Sequence, residues 1–417
     1  MIKSKLNILV ITDDFPPNWA PRIGYFVKYL SQSGHKIYVV SGVRNKKEVY
    51  TSLQGYAENV DFFERKKRNK LTRVIDVVET FLPTRNSHRE KEIFLRAGQI
   101  IKERKIELIL CSISDIFPGY TAYKLAKLYR IPMHIDFRDI YEQLGSLLKI
   151  TDRNFRMWPY HIRDKINLIG YKYYRKKILS ISRSCTTVSD FHAGVLRKNN
   201  SNVSVIYNGY DHEKFFTGKK VFSKKFYITY AGTVYNTSIS DHRIFIRAIK
   251  KLAQNGLIDS DIFSVRFFSG NIRDSNIIND IDEAGLSKFF EFHEWVDSDH
   301  LPALYAESSI LLLLSASNKV KNGPRGIIFT KFFEYLGANR RILCVPSDEA
   351  DVERLIDICS AGKSLTEVNE IMNFIEQAYK LWKKDGYVSG MTKIPEKIAL
   401  TREQQARTLE SIICSSS

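Results

Sequence analysis

The sequence predicts a two-domain α/β protein built on two doubly wound parallel sheets. Three observations carry this. The chain has 417 residues, more than one core organises at ~100–200 residues per domain. Short β-branched runs alternate with longer amphipathic segments, the mark of a parallel sheet with helices on both faces. That alternation restarts around residues 203–215, so the boundary is expected near residue 210, with domains at 1–210 and 211–399.

In order, Leu6–Ile11 reads as the first strand and Ile23–Ser33 as a helix ended by Gly34. Lys36–Val40 is the next strand. Strands follow at Leu108–Cys111, Met133–Asp136 and Cys185–Val188, with a helix at Tyr120–Tyr129 among the intervening stretches. In the second domain Tyr227–Ala231, Phe263–Phe268, Phe289–Phe292, Ile310–Leu314 and Arg341–Val345 are strands. Asp241–Asn255, Leu301–Glu307 and Lys331–Gly337 are helices. Thr401 and Gln404 form a capping-box pattern opening a last helix through about Ile413.

Composition narrows the function classes. No apolar run reaches the ~18–20 residues of a membrane span. The opening residues turn acidic at Asp13 and read as a strand, not a leader. Five cysteines, Cys111, Cys185, Cys344, Cys359 and Cys414, are odd in number and scattered, as expected of reduced thiols in the cytoplasm. The formal charge is +18, and residues 1–200 hold all of it, with 37 basic and 19 acidic side chains. The two halves are therefore expected to face different partners.

Several motifs together carry a family resemblance. Thr12-Asp13-Asp14-Phe15-Pro16-Pro17-Asn18, followed by Ala20-Pro21-Arg22, opens the chain. Ile131-Pro132 leads into Asp136-Phe137-Arg138-Asp139. Thr187-Val188-Ser189, Ile206-Tyr207-Asn208-Gly209-Tyr210-Asp211 and Tyr230-Ala231-Gly232-Thr233 come next. Leu301-Pro302-Ala303-Leu304-Tyr305 and Thr330-Lys331-Phe332-Phe333-Glu334-Tyr335-Leu336 complete the set. In this order and spacing the chain resembles the family 4 glycosyltransferases, in their bacterial surface-polysaccharide branch.

The resemblance implies the GT-B fold: two Rossmann-like domains facing each other across a cleft, an acceptor-side domain first and a donor-binding domain second. The terminal helix, 400–417, would pack back on the first. It implies transfer of a sugar from a UDP- or GDP-linked donor to a hydroxyl of a glycan acceptor carried on lipid, with retention, without metal and with no cofactor. Rivals on the same fold are a nucleotide-sugar epimerase and a degenerate, non-catalytic transferase that binds membrane or nucleic acid.

The residues suit those roles. With Thr330 as N-cap, Lys331 and Glu334 would occupy a first helical turn, where free N–H groups and the dipole favour a diphosphate. Lys331 adds a point charge, and Glu334 can accept hydrogen bonds from ribose hydroxyls. Arg138 at a strand end could stabilise a departing diphosphate, unless it pairs with Asp136 or Asp139. Arg22 and Gly24 follow the first strand and are expected near the donor, as are Gly232, Thr233 and Arg325. Catalysis would then rest on Arg138, Lys331 and Glu334.

The sequence also departs from the family pattern. Gly326 stands where the first of two donor glutamates is common, and Thr233 replaces the usual arginine. The usual lysine further on falls near Ser240. Three Asp-x-Asp pairs (Asp259/Asp261, Asp280/Asp282, Asp297/Asp299) read as caps and turns, not metal sites. Two basic clusters, Arg65-Lys66-Lys67-Arg68 and Arg175-Lys176-Lys177, the second interleaved with tyrosines, suit the anionic face of a membrane. No helix-turn-helix, RNA-binding motif or zinc finger speaks for nucleic acid. The expected location is the cytoplasmic face of the membrane, held peripherally.

Overall fold

The computed structural model describes residues 5–18, 20–42, 49–63, 87–114, 116–143, 158–215, 220–235, 239–274, 276–315, 325–390 and 399–415. Two compact units result, Met1–Tyr207 with Arg402–Ser417 and Asn208–Thr401. The chain passes between them at Asn208-Gly209, with Gly209 at φ 69°.

The first unit holds seven strands: β1 (Asn7–Thr12), β2 (Lys36–Gly42), β3 (Asn59–Phe63), β4 (Leu108–Ile113), β5 (Met133–Phe137), β6 (Ser184–Thr187) and β7 (Val203–Val205). Their order is β3-β2-β1-β4-β5-β6-β7, and every pairing is parallel. Alternate residues point to opposite faces of each strand, and both faces are covered. Leu9, Ile11, Ile109, Cys111 and Ile135 pack under the helices Ser87–Glu103, Gly119–Tyr129 and Trp158–Ile181. Ile8, Val10, Leu108 and Leu110 face the helices Pro21–Gln32 and Arg402–Cys414. The continuous apolar runs of these strands follow from this double burial.

The second unit has β8 (Phe226–Ala231), β9 (Phe263–Phe268), β10 (Phe290–His293), β11 (Ile310–Leu314), β12 (Arg341–Val345) and β13 (Gly362–Ser364). They lie in the order β10-β9-β8-β11-β12-β13, again all parallel. Ile228, Val265, Phe267, Leu312 and Leu314 form one face of its core with the helices Arg243–Gln254, Ile277–Glu283 and Val368–Asp385. In each sheet the winding reverses beside the first strand, between β1 and β4 and between β8 and β11. Ligands of open parallel sheets bind at the carboxyl ends of the strands flanking such a reversal.

The terminal helix belongs to the first unit. Ala406, Leu409 and Ile413 are buried in its core, and Glu410 meets His35 at 3.4 Å and accepts from Ser33 Oγ at 3.1 Å. Several elements go beyond the expected set: β3, β7, β13 and the helices Ser87–Glu103, Asp351–Cys359 and Val368–Asp385. Leu409 is fully buried, so Leu409→Ala should cost about 2–5 kcal/mol. Urea unfolding should show this as a lower midpoint, with the half-buried Ile412→Ala costing less.

Candidate active site

In the first unit polar side chains converge at the carboxyl ends of β1, β4, β5 and β6. Asp136, wholly buried in β5, accepts from Arg22 Nη2 at 2.8 Å and Nε at 3.0 Å. It also accepts from Ser112 Oγ at 3.0 Å and Thr186 Oγ1 at 2.8 Å. Burial alone would raise its pKa, but the charge and hydrogen bonds of Arg22 and the bond from Thr186 hold it below the ordinary value. The Thr186 hydroxyl gives its one proton to Asp136, so it accepts from His134 Nε2 at 3.0 Å. His134 Nδ1 then accepts from Ser184 at 2.7 Å. Burial lowers the His134 pKa to about 4, which keeps the ring neutral.

This geometry reassigns Arg22. Its Nη1 donates to the Tyr207 carbonyl at 3.0 Å, and its guanidinium lies 4.8 Å from the centre of the Phe26 ring. These partners give it a structural part in the unit, holding the buried Asp136 carboxylate. Gly24 is also structural: it lies inside the helix, where a Cβ would come within 2.5 Å of Pro16 Cγ.

Arg138 leaves β5 and pairs with Asp13, just beyond β1, not with Asp136 or Asp139. Asp13 also accepts from Ser114 Oγ at 3.3 Å. The side chain of Arg138 is partly exposed, and its Nε is buried without a partner among the described residues. Arg138 thus keeps part of its side chain at the surface, whereas that of Arg22 is buried.

The second unit gathers its candidates at the carboxyl ends of β8 and β9 and at the start of the helix Thr330–Ala338. Phe329 is the N-cap, without a side-chain cap bond. Thr330 is therefore the first helical residue, and Glu334 falls in the second turn. The Phe332 amide is taken by the Phe329 carbonyl at 3.0 Å.

Lys331 Nζ lies 3.8 Å from the centre of the Tyr230 ring and 3.0 Å from where a Cβ on Gly232 would stand. Gly232 has φ +119°, a conformation open to glycine, and its missing side chain is what leaves room for the ammonium. Among the described residues no carboxylate reaches Lys331 at ion-pair distance. Burial against aromatic rings lowers its pKa to about 7, with the charge of Glu334 opposing the shift.

Glu334 accepts from Tyr305 Oη at 3.4 Å. Tyr305 is buried and kept protonated by that burial and by the Glu334 charge. Tyr335 Oη accepts from the Ala231 amide at 3.2 Å, fixing the helix to the end of β8. Asn271 beyond β9 donates to the Val234 carbonyl at 2.8 Å and accepts its amide at 3.0 Å, shaping the loop after Gly232. Thr233 and Arg325 are exposed. Tyr230 and Tyr305 stand inside the quoted motifs without a role of their own there, and Asn271, an amide in a loop beyond β9, has no sequence signal that marks it.

Arg65, Lys66, Lys67 and Arg68 lie outside the described residues. Arg175 is buried and forms a two-point pair with Glu142 at 2.7 and 2.8 Å, so it is not a surface cation. Lys176 is exposed and Lys177 half-buried. Asp280 bonds His242 at 2.5 Å, Asp282 accepts from Ser287, and Asp299 pairs with Lys214. No group of three metal-ligating side chains occurs among the described residues.

Solved structures resemble the chain over nearly its whole length. It matches 99% of itself to 100% of a glycosyltransferase from Rickettsia africae ESF-5, at 16% identity and TM-score 0.63. A sucrose-phosphate synthase from Thermosynechococcus elongatus matches 99% of this chain over 100% of its own, at 12% identity and TM-score 0.62. Anabaena HepE in complex with UDP-glucose covers 97% of this chain and 94% of its own, at 12% identity and TM-score 0.58. These likenesses show a GT-B fold. Residues 22–214 match Glycosyltransferase Family 4, and that match, with the GT-B fold, marks the chain as a glycosyltransferase. No curated sequence matches it.

Two substitutions separate structural from ligand cations. Arg22→Met strands a buried carboxylate and should lower unfolding stability by about 3–5 kcal/mol, whereas Arg138→Met should cost much less.

Lys331 gives a pH signature. Between about pH 7 and its ordinary value of 10.5 the unfolded chain holds a proton that the folded side chain lacks. Stability therefore rises with pH across that window, and below it the folded state carries the full penalty of a buried charge. Lys331→Met should melt higher than wild type near about pH 6, the gap shrinking towards about pH 9.

Proposed function

We propose that the protein transfers a sugar from a UDP- or GDP-linked donor to a hydroxyl of a glycan acceptor carried on lipid, in cell-surface polysaccharide synthesis. The donor is assigned to the second unit and the acceptor to the first. The observation that carries this is Lys331: an ammonium at a helix N-terminus, half-buried against Tyr230, given room by Gly232 and, among the described residues, without a carboxylate at ion-pair distance. A diphosphate supplies the missing counter-charge, and the dipole of the helix adds to the attraction. Glu334, one turn on, is placed to accept from the ribose hydroxyls of the same nucleotide.

In the transfer the bond from the anomeric carbon to the diphosphate breaks and a bond to the acceptor oxygen forms, while the acceptor proton is released. Negative charge grows on the diphosphate, and Lys331 is assigned to stabilise it, since an already desolvated cation needs little reorganisation. Arg138, with its partly exposed side chain, is the first unit's candidate for the same charge. Retention of configuration and independence from metal belong to this reading, as does a peripheral place at the cytoplasmic face of the membrane.

Lys331→Ala and Glu334→Ala should each reduce transfer about ten-fold or more while the fold stays intact by circular dichroism; full activity in both would remove this site. UDP or GDP should raise the melting temperature and bind more weakly as pH climbs above about 7, because the free lysine must then take up a proton. That pH dependence should vanish in Lys331→Met. Incubation with donor alone separates transfer from epimerisation: an epimer appearing without acceptor would favour the epimerase.

A further inference from the structure

The layer formed by the helices Ser87–Glu103, Gly119–Tyr129 and Trp158–Ile181 covers one face of the first sheet, and its exposed side carries an unusual combination. Tyr120 stacks on Tyr123 at 5.4 Å and meets Tyr174 edge-on at 4.6 Å, and Tyr174 in turn meets Tyr173 at 5.3 Å. Lys124 lies 5.0 Å from the centre of the Tyr120 ring and Lys177 4.5 Å from that of Tyr173. Ile169 is 70% exposed, Leu128 60%, Leu95 58% and Tyr173 53%. Lys127, Lys172 and Lys176 are exposed on two of the same helices. No Asp or Glu occurs between residues 119 and 135 or between residues 165 and 189, which together hold nine Lys and Arg.

We propose that this three-helix face is the surface by which the protein docks on an anionic lipid bilayer. It deepens, and rests on, the membrane-associated reading above, while moving the contact away from Arg175 to tyrosines, lysines and aliphatic side chains from separate parts of the chain. Charge complementarity names the occupant, since lysines near anionic headgroups each add attraction. Tyrosines prefer the headgroup level because one end is apolar and the other polar. Exposed isoleucine and leucine gain by entering the acyl boundary. A nucleic acid fits less well: the tyrosine faces are turned onto one another and onto lysines, so they are not open for base stacking, and aliphatic side chains offer nothing to phosphate. Among the described residues no helix is long and apolar enough to cross a membrane, so this surface would lie on the bilayer.

The test is co-flotation of the full chain with phosphatidylcholine vesicles, with or without about 30 mol% phosphatidylglycerol. The wild type should bind the anionic vesicles and be released by salt. Joint change of Lys127, Lys172 and Lys176 to Glu should weaken binding about ten-fold or more, and Ile169→Gln should weaken it with no change in charge. Lys363, Lys383 and Lys384 changed to Glu on the second unit remove the same charge elsewhere and should leave binding intact. Equal losses in both triple variants, or no loss in the first, would overturn the assignment. So would binding of single-stranded RNA in place of vesicles. The melting shift with UDP is measured on the same samples; its absence in the wild type would count against the donor site, not against this surface.

Discussion

Asp136 is the point on which the first unit depends. Its carboxylate lies in the interior of a parallel sheet, where an unpaired charge costs several kcal/mol even after relaxation. Arg22, Ser112 and Thr186 are the answer, and they come from the helix after β1, from β4 and from β6. One buried charge therefore fixes three elements to β5, and through the Arg22 bond to Tyr207 it also fixes the last residues of the unit. The order extends to His134, whose tautomer is set by the hydroxyl that serves Asp136. Charge pairs of this kind are modest sources of stability but strict about geometry. Here that strictness holds the strand ends beside which Asp13 and Arg138 emerge.

The second unit uses a different constraint. Its sheet ends in small or aromatic residues, Gly232 and Tyr230, which make space for a cation and then deprive it of water. Tyr335 and Tyr305 brace the same helix, one through the Ala231 amide and the other through Glu334. A lysine held this way has no carboxylate among the described residues at ion-pair distance, whereas Arg22 is engaged by Asp136. The two cations differ in role because one has a carboxylate and the other has an aromatic face.

Much of this was legible in the chain. Strands of four or more consecutive apolar residues, such as Ile310–Leu314, stand out because both their faces are buried. Lys331 and Glu334 stand out as candidates by their place in one motif. The short strands β7 and β13 and the helix Ser87–Glu103 were not expected: three-residue strands carry no period, and that helix is marked only by Ile93, Ala97 and Ile100 amid charged residues. The cap was misplaced by one residue because threonine favours N-caps in general, yet here Phe329 supplies the extended backbone. The basic cluster at 175–177 seemed uniform, but a helix turns its residues through different environments, so Arg175 is buried against Glu142 while Lys176 faces water.

The sequence by itself determined the α/β class, the two sheets, the division near residue 210 and the concentration of positive charge in the first half, because periodicity and composition are local and additive. Only the tertiary structure decided which cations are engaged. Arg22 and Asp136 are 114 residues apart, Arg138 and Asp13 are 125 apart, and Lys331 meets Tyr230 with three strands, β9, β10 and β11, between them in the chain. Whether a charged side chain is a scaffold or a ligand depends on the partner that folding brings to it, and no local pattern encodes that partner.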